Sequence, residues 1–190
     1  MVAADPTGVS MRRVGLLVAY VALLYASLPW TRGVLVALYQ LELVGGLVTG
    51  AYFLAAALLA YHVVFDIRLT DRVAFAALVV MGAVIGALVL GLEIPEERMH
   101  FLQYGLLAVL ARRALALRLP ARRQYPVAIV LAAAVGFGDE LIQGLLPGRV
   151  YDLRDVVINA LAAVLAMAGD EALHNRLGWR PRTVVAEAEP

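Results

Sequence analysis

The chain alternates long apolar runs with short polar breaks, and the runs have the lengths of membrane helices. The hydrocarbon core of a bilayer is about 30 Å thick, so a helix rising 1.5 Å per residue needs about 20 apolar residues to cross it. The pattern predicts an all-α, polytopic membrane helix bundle with about six transmembrane helices. Their predicted ranges are 14–28, 44–65, 73–92, 99–117, 125–146 and 155–173.

Residues 33–43 receive a separate interpretation. The apolar run 33–65 has 33 residues, which is too long for one crossing. Its first part also carries the polar side chains of Tyr39, Gln40 and Glu42. We therefore expect a short interfacial or re-entrant segment near 33–43, followed by the second membrane helix.

The arginines orient the predicted bundle, because short cytoplasmic loops of membrane proteins carry an excess of Lys and Arg. All 16 basic residues are arginine. With both termini in the cytoplasm, 12 of the 16 lie on the inner side, and five of these fall at the end of the fourth helix or in the loop that leads to the fifth. The sequence thus predicts a multi-pass protein of the cell membrane with its N- and C-termini inside.

Composition supports the membrane interpretation and excludes several kinds of chemistry. Hydrophobic residues make up 63% of the chain and charged residues 16%, against about 45–50% and about 25% in soluble domains. The net charge of +1 gives no reason to expect a nucleic-acid partner. The chain has no cysteine, no HExxH motif and no second histidine near His100, so we predict neither a cofactor nor a metal site.

Polar residues concentrate at three helix ends that this topology places on the outer side: the start of the fourth helix, the end of the fifth and the start of the sixth. An ionisable residue at the centre of a membrane helix costs about 2.5–3.5 kcal/mol, so these side chains should face the bundle interior. On the fourth helix, Glu96, His100 and Tyr104 lie four residues apart and share a face. On the sixth helix, Asp155 is expected to be the N-terminal cap. The predicted ligand-binding residues are Glu96, His100, Tyr104, Asp139, Glu140, Gln143, Arg149, Arg154, Asp155 and Asn159.

The residues leave the role of this cluster open. Glu140 and Gln143 could form a structural clamp between helices, or Glu140 and His100 could act as general base and acid. Arg149 and Arg154 could bind an anionic group such as a lipid phosphate. Alternatively, they could form salt bridges with Asp152 and Asp155 in their own loop.

Two segments of the sequence resemble the VanZ-like family, small bacterial membrane proteins whose founding member is associated with teicoplanin resistance. The segments are EERMHFLQY (96–104) and DELIQGLLPGRVYDLRDVVIN (139–159). The resemblance implies one VanZ-like membrane domain over 1–175, with its motifs in 93–170, and a polar cytoplasmic tail over 176–190. The positions that it implies for the site are His100, Tyr104, Glu140, Gln143, Arg149, Asp155 and Asn159.

These observations lead to one principal functional hypothesis and two alternatives. We expect an outward-facing polar pocket in the cell envelope that binds a membrane lipid, a lipid-linked envelope precursor or a glycopeptide-type antibiotic, and that influences antibiotic susceptibility. The first alternative is a membrane-embedded enzyme that modifies a lipid-linked substrate. A transporter or flippase is less favoured, because no internal repeat is visible. Whether the protein forms a homo-oligomer is left open.

Overall fold

The computed structural model describes residues 6–67, 72–116 and 118–173, and these residues form six α-helices and no strand. The predicted tail, 176–190, lies outside the described residues. Four of the 12 arginines predicted on the inner side also lie outside them: Arg68, Arg176, Arg180 and Arg182. The helices are α1 (Pro6–Gln40), α2 (Val44–Tyr61), α3 (Arg72–Leu90), α4 (Pro95–Leu115), α5 (Ala121–Leu145) and α6 (Leu153–Glu171). A π-helical turn, His62–Ile67, follows α2.

The structure corrects the prediction of a separate segment at 33–43. Residues 33–40 continue α1, which is one helix of 35 residues despite Pro29 in its interior. The Ser27 hydroxyl donates to the Leu24 carbonyl at 2.7 Å and the Thr31 hydroxyl to the Leu28 carbonyl at 2.8 Å. The length limit used above applies only to the hydrocarbon core, and α1 spans about 52 Å at 1.5 Å per residue. A helix can extend beyond the membrane, so length alone does not require a break.

Helix α4 is the centre of the bundle. It packs against α6 and α5 and, less extensively, against α1 and α2. Small side chains at these contacts let the helix backbones approach closely. The fully buried members of this core are Tyr104, Leu107, Ala108, Ala111, Ala128, Ala132, Ala162, Ala163 and Met167.

Within the part of the chain that the structure describes, three helices are long and apolar enough to cross a membrane by length and composition: Ser10–Gln40 within α1, Val44–Tyr61 and Ala121–Leu145. A shorter apolar stretch, Leu78–Leu90, lies in α3. Large apolar side chains also point outward, such as Trp30 at 74% and Phe53 at 73% exposure. Because soluble monomers rarely expose large contiguous apolar patches, these surfaces support a membrane protein.

The sequence contains two GxxxG spacings, 46–50 and 82–86, of the kind that lets membrane helices approach closely. A Cβ placed on any glycine of these two motifs would meet no described atom within 4 Å. A Cβ on Gly136 of α5 would instead lie 2.8 Å from the Asn159 Cβ and 3.1 Å from Tyr104 Cε1. The three helices α4, α5 and α6 therefore pack tightly at Gly136, which lies next to the predicted site.

Candidate functional site

The polar ends of α4, α5 and α6 meet in one buried cluster. His100 Nδ1 lies 2.7 Å from Asn159 Oδ1, and the rings of His100 and Tyr104 stack with centroids 5.9 Å apart. The Tyr104 hydroxyl donates to Asp139 Oδ2 at 2.5 Å. The shared face of His100 and Tyr104, predicted from their spacing, is confirmed.

Glu140 is the most deeply buried carboxylate of the cluster, with 1% exposure. Its Oε1 accepts a hydrogen bond from Gln143 Nε2 at 3.1 Å, as the three-residue spacing indicated. Its Oε2 accepts from the backbone N–H of Asp152 at 3.3 Å. Glu140 thus connects α5 to the segment that leads into α6.

Asp152, and not Asp155, is the N-cap of α6. The Asp152 side chain accepts from the backbone N–H of Arg154 at 2.8 Å, and the helix begins at Leu153. Asp155 lies in the first turn, where its negative charge suits the positive end of the helix dipole. The prediction was wrong by one turn, because both aspartates precede an apolar run and a carboxylate at either position can cap.

Two cavities adjoin the cluster. The first, here called the histidine cavity, has a volume of about 240 Å³ and lies between α1, α2, α4 and α5. Its apolar side comes from α1, α2 and Met99. Its polar lining consists of Ser27, Thr31, His100, Gln103, Asp139, Gln143 and Arg149.

The second, here called the arginine cavity, has a volume of about 470 Å³. It lies between α1 and the segment after α5, and Arg32 and Arg149 are its two charged residues. The remaining lining is Leu28, Pro29, Gly33, Val36, Leu146 and Pro147. Arg149 therefore borders both cavities.

Arg154, Arg149 and Arg32 lie near the site and differ in their contacts. The Arg154 guanidinium pairs with Glu97 of α4 at 3.3 Å, and Arg154 lines neither cavity. The Arg149 Nε is buried and has no hydrogen-bond partner among the described residues. The Arg32 guanidinium packs against Gly148, whose φ is +72°. Neither Arg149 nor Arg32 forms a salt bridge within the described part of the chain, so both cations remain available.

Sequence reasoning missed Glu97 and Arg32. Glu97 is 5% exposed, whereas the side chain of its predicted neighbour Glu96 lies outside the described residues. The i,i+3 spacing of Glu97 to His100 is as compatible with a shared helix face as the i,i+4 spacing of Glu96. For Arg32, the available signal was its predicted outer position, and the interpretation of 33–43 as a separate segment obscured it.

A second buried polar contact lies at the opposite end of α4. The Arg112 guanidinium forms an ion pair with Asp170 of α6, both about nine-tenths buried, and Arg112 also lies 5.6 Å from the centroid of the Tyr125 ring. This contact joins the ends of α4 and α6 remote from His100. It is far along both helices from the cavities and serves the packing of the bundle.

Comparison with known proteins identifies one family. A family model described as VanZ/LLP1 matches residues 17–169, which includes all ten residues predicted for the site. No curated protein and no solved structure matches the chain. The match begins in α1, so it extends well beyond the two motif segments.

Proposed function

The chain belongs to the VanZ/LLP1 family, and from that premise we propose that it is a membrane protein of the cell envelope that binds an anionic lipid or lipid-linked precursor. The observation that carries the proposal is the arginine cavity, where Arg32 and Arg149 face an otherwise apolar lining. A site of this kind suits a molecule with a negative head group and a hydrocarbon tail.

We propose that all six helices cross the membrane, with both termini in the cytoplasm. The three long apolar helices support this arrangement, as does the short apolar stretch in α3. Within α4 and α6, the charged residues Glu97, Arg112 and Asp170 are buried between helices, and the exposed Arg113, Arg154 and Glu171 lie near the helix ends. In this topology the two cavities open toward the outer side.

The head group is placed by the two guanidinium groups. A guanidinium is planar, always charged and well matched to phosphate oxygens, and charge-assisted hydrogen bonds are roughly twice as strong as neutral ones. Because Arg149 borders both cavities, a phosphate beside it can direct neutral head-group atoms toward Gln143 in the histidine cavity. The tail would follow the apolar surface of α1.

The test measures lipid retention by native mass spectrometry on protein released from detergent. The probes are phosphatidylglycerol and undecaprenyl phosphate, with phosphatidylcholine as the zwitterionic comparison. We expect wild type to retain the two anionic lipids preferentially, and Arg32→Ala and Arg149→Ala each to reduce retention about tenfold, which corresponds to about 1.4 kcal/mol.

Two further variants act as controls. Arg122→Ala removes the same charge at the exposed start of α5, far from both cavities, and should retain lipid as wild type does. Arg154→Ala removes a charge near the site but outside both cavities, and should have little effect on retention. Equal losses in Arg122→Ala and Arg149→Ala would reduce the result to net charge and contradict the proposal.

We further propose that occupancy of the cavity changes susceptibility to glycopeptide-type antibiotics, as the resemblance implies. The measurement is the minimal inhibitory concentration of teicoplanin in a host expressing wild type, Arg149→Ala or Arg122→Ala. Wild type and Arg122→Ala should protect equally, and Arg149→Ala should not. Full protection by Arg149→Ala would separate susceptibility from the cavity.

One observation favours a membrane-embedded enzyme as a second candidate: His100 lines a cavity, and Glu140 lies beside it in the same buried cluster. Such a pair can transfer protons to and from a bound substrate. Glu140→Gln would then abolish modification of a retained lipid while leaving its retention unchanged. Loss of folding in the same variant would instead support the structural clamp.

A further inference from the structure

Three side chains of the kinds that bind metal ions converge beside the histidine cavity. His100, Asp139 and Glu140 each offer one ligand atom, and these atoms all lie within 4.8 Å of one another. Asp139 is 6% exposed and Glu140 1% exposed. His100 and Asp139 also line the cavity, so the group borders an open space.

Each of the three is oriented by a second residue. Asn159 Oδ1 can only accept, so His100 Nδ1 donates to it and the lone pair of the imidazole is left on Nε2. Tyr104 holds one oxygen of Asp139, and Gln143 holds one oxygen of Glu140. Metal-binding histidines almost always donate their other ring N–H in this manner, and metal-binding carboxylates are themselves hydrogen-bonded.

The charges of the group are not balanced by the protein. Asp139 Oδ1 is buried and has no hydrogen-bond partner among the described residues, and within that part of the chain neither Asp139 nor Glu140 forms a salt bridge. An ionised carboxylate is costly to bury without a compensating charge. A cation placed between the two carboxylates would remove this cost.

We propose that His100, Asp139 and Glu140 bind one divalent transition-metal ion, Zn²⁺ or Mn²⁺. Imidazole favours transition metals over Mg²⁺ and Ca²⁺, and carboxylates are ligands of both Zn²⁺ and Mn²⁺. Three protein ligands leave at least one coordination position open toward the histidine cavity. This site goes beyond the proposed lipid function and does not depend on it. It also revises the sequence-based expectation that no metal is bound.

The experiment uses the full chain in detergent, without a polyhistidine tag, after chelator treatment and removal of the chelator. Isothermal titration with Zn²⁺ and with Mn²⁺ gives affinity and stoichiometry. We expect one ion per chain, and about 100-fold weaker binding or more in His100→Gln and Asp139→Asn. Tyr104→Phe, which removes only the orienting hydroxyl, should weaken binding about 10- to 100-fold.

Glu97→Gln is the matched control. It neutralises a buried carboxylate on the same helix as His100 but outside the three-residue group, and should bind as wild type does. Pulsed electron paramagnetic resonance on the Mn²⁺-loaded wild type tests the site without any variant, because a directly bound imidazole nitrogen modulates the spin echo. This readout remains decisive if a variant fails to fold.

One ion per chain with imidazole modulation, lost in His100→Gln and retained in Glu97→Gln, supports the site. Wild type that binds neither ion, or binding without imidazole modulation, overturns it. Retention of anionic lipids is measured separately, so failure of the metal site leaves the lipid result intact.

Discussion

Gly136 provides the sharpest test of how the cluster is assembled. Replacing it with alanine adds a Cβ that would lie 2.8 Å from the Asn159 Cβ, 3.0 Å from Asn159 Nδ2 and 3.1 Å from Tyr104 Cε1. Optimal separation of carbon atoms is about 3.5–4.0 Å, so α5 and α6 would have to move apart by up to about 1 Å. Asn159 and Tyr104 are both fully buried and cannot turn away into solvent.

The expected effect follows from two opposing contributions. Overpacking of a well-packed core costs about 1–3 kcal/mol, and replacing glycine by alanine in a helix returns about 0.5–1 kcal/mol. We therefore expect Gly136→Ala to lower the free energy of unfolding by about 1–2 kcal/mol. The same displacement should lengthen the contact between Asn159 and His100.

The assay is reversible unfolding in mixed micelles by titration with sodium dodecyl sulfate, followed by circular dichroism. Gly105→Ala is the matched control, because its Cβ would meet the Ala166 Cβ at an ordinary 3.6 Å. This control should be neutral or slightly stabilising. Equal stability of Gly136→Ala and Gly105→Ala would refute the close packing at Gly136.

Three further predictions concern the rest of the bundle. Arg112→Ala should destabilise by about 3–5 kcal/mol in the same unfolding assay, because it removes the guanidinium that pairs with the buried carboxylate of Asp170. The double variant Arg112→Met with Asp170→Leu should recover most of this loss, and a double variant as unstable as the single one would contradict the ion-pair argument. Asp152→Ala should cost about 0.5–2 kcal/mol through loss of the α6 cap, and Asp152→Asn only a few tenths, with equal losses counting against the cap. Gly148→Ala should reduce retention of phosphatidylglycerol, because alanine disfavours the positive φ of position 148 and its Cβ would lie 2.9 Å from the Arg32 guanidinium. Unchanged retention would show that the contact with Gly148 does not position Arg32.

Five of the six described helices and two contacts within the cluster could be predicted, because local spacing determines them. Apolar runs separated by polar breaks place α2 to α6 within a few residues of their observed bounds. The four-residue spacing of His100 and Tyr104 places both on one face, as does the three-residue spacing of Glu140 and Gln143. Such relations need only the geometry of one helix.

Contacts between elements distant in sequence could not be predicted in this way. Arg32 meets Gly148 and shares a cavity with Arg149 only because α1 continues past Pro29 and packs beside the segment after α5. Arg154 pairs with Glu97 across 57 positions of sequence, whereas the local alternatives, Asp152 and Asp155, lay in its own loop. The choice between partners is made by helix packing, which no spacing rule contains.

Polar contacts between α4 and α6 also make these two helices depend on each other for their stability in the bundle. His100 of α4 lies against Asn159 of α6, and Arg112 of α4 pairs with Asp170 of α6, the last of the described helices. In the proposed topology, His100 and Arg112 lack these two contacts before α6 is in place, and polar side chains are costly within a bilayer. The bundle without α6 should therefore be less stable than the full chain.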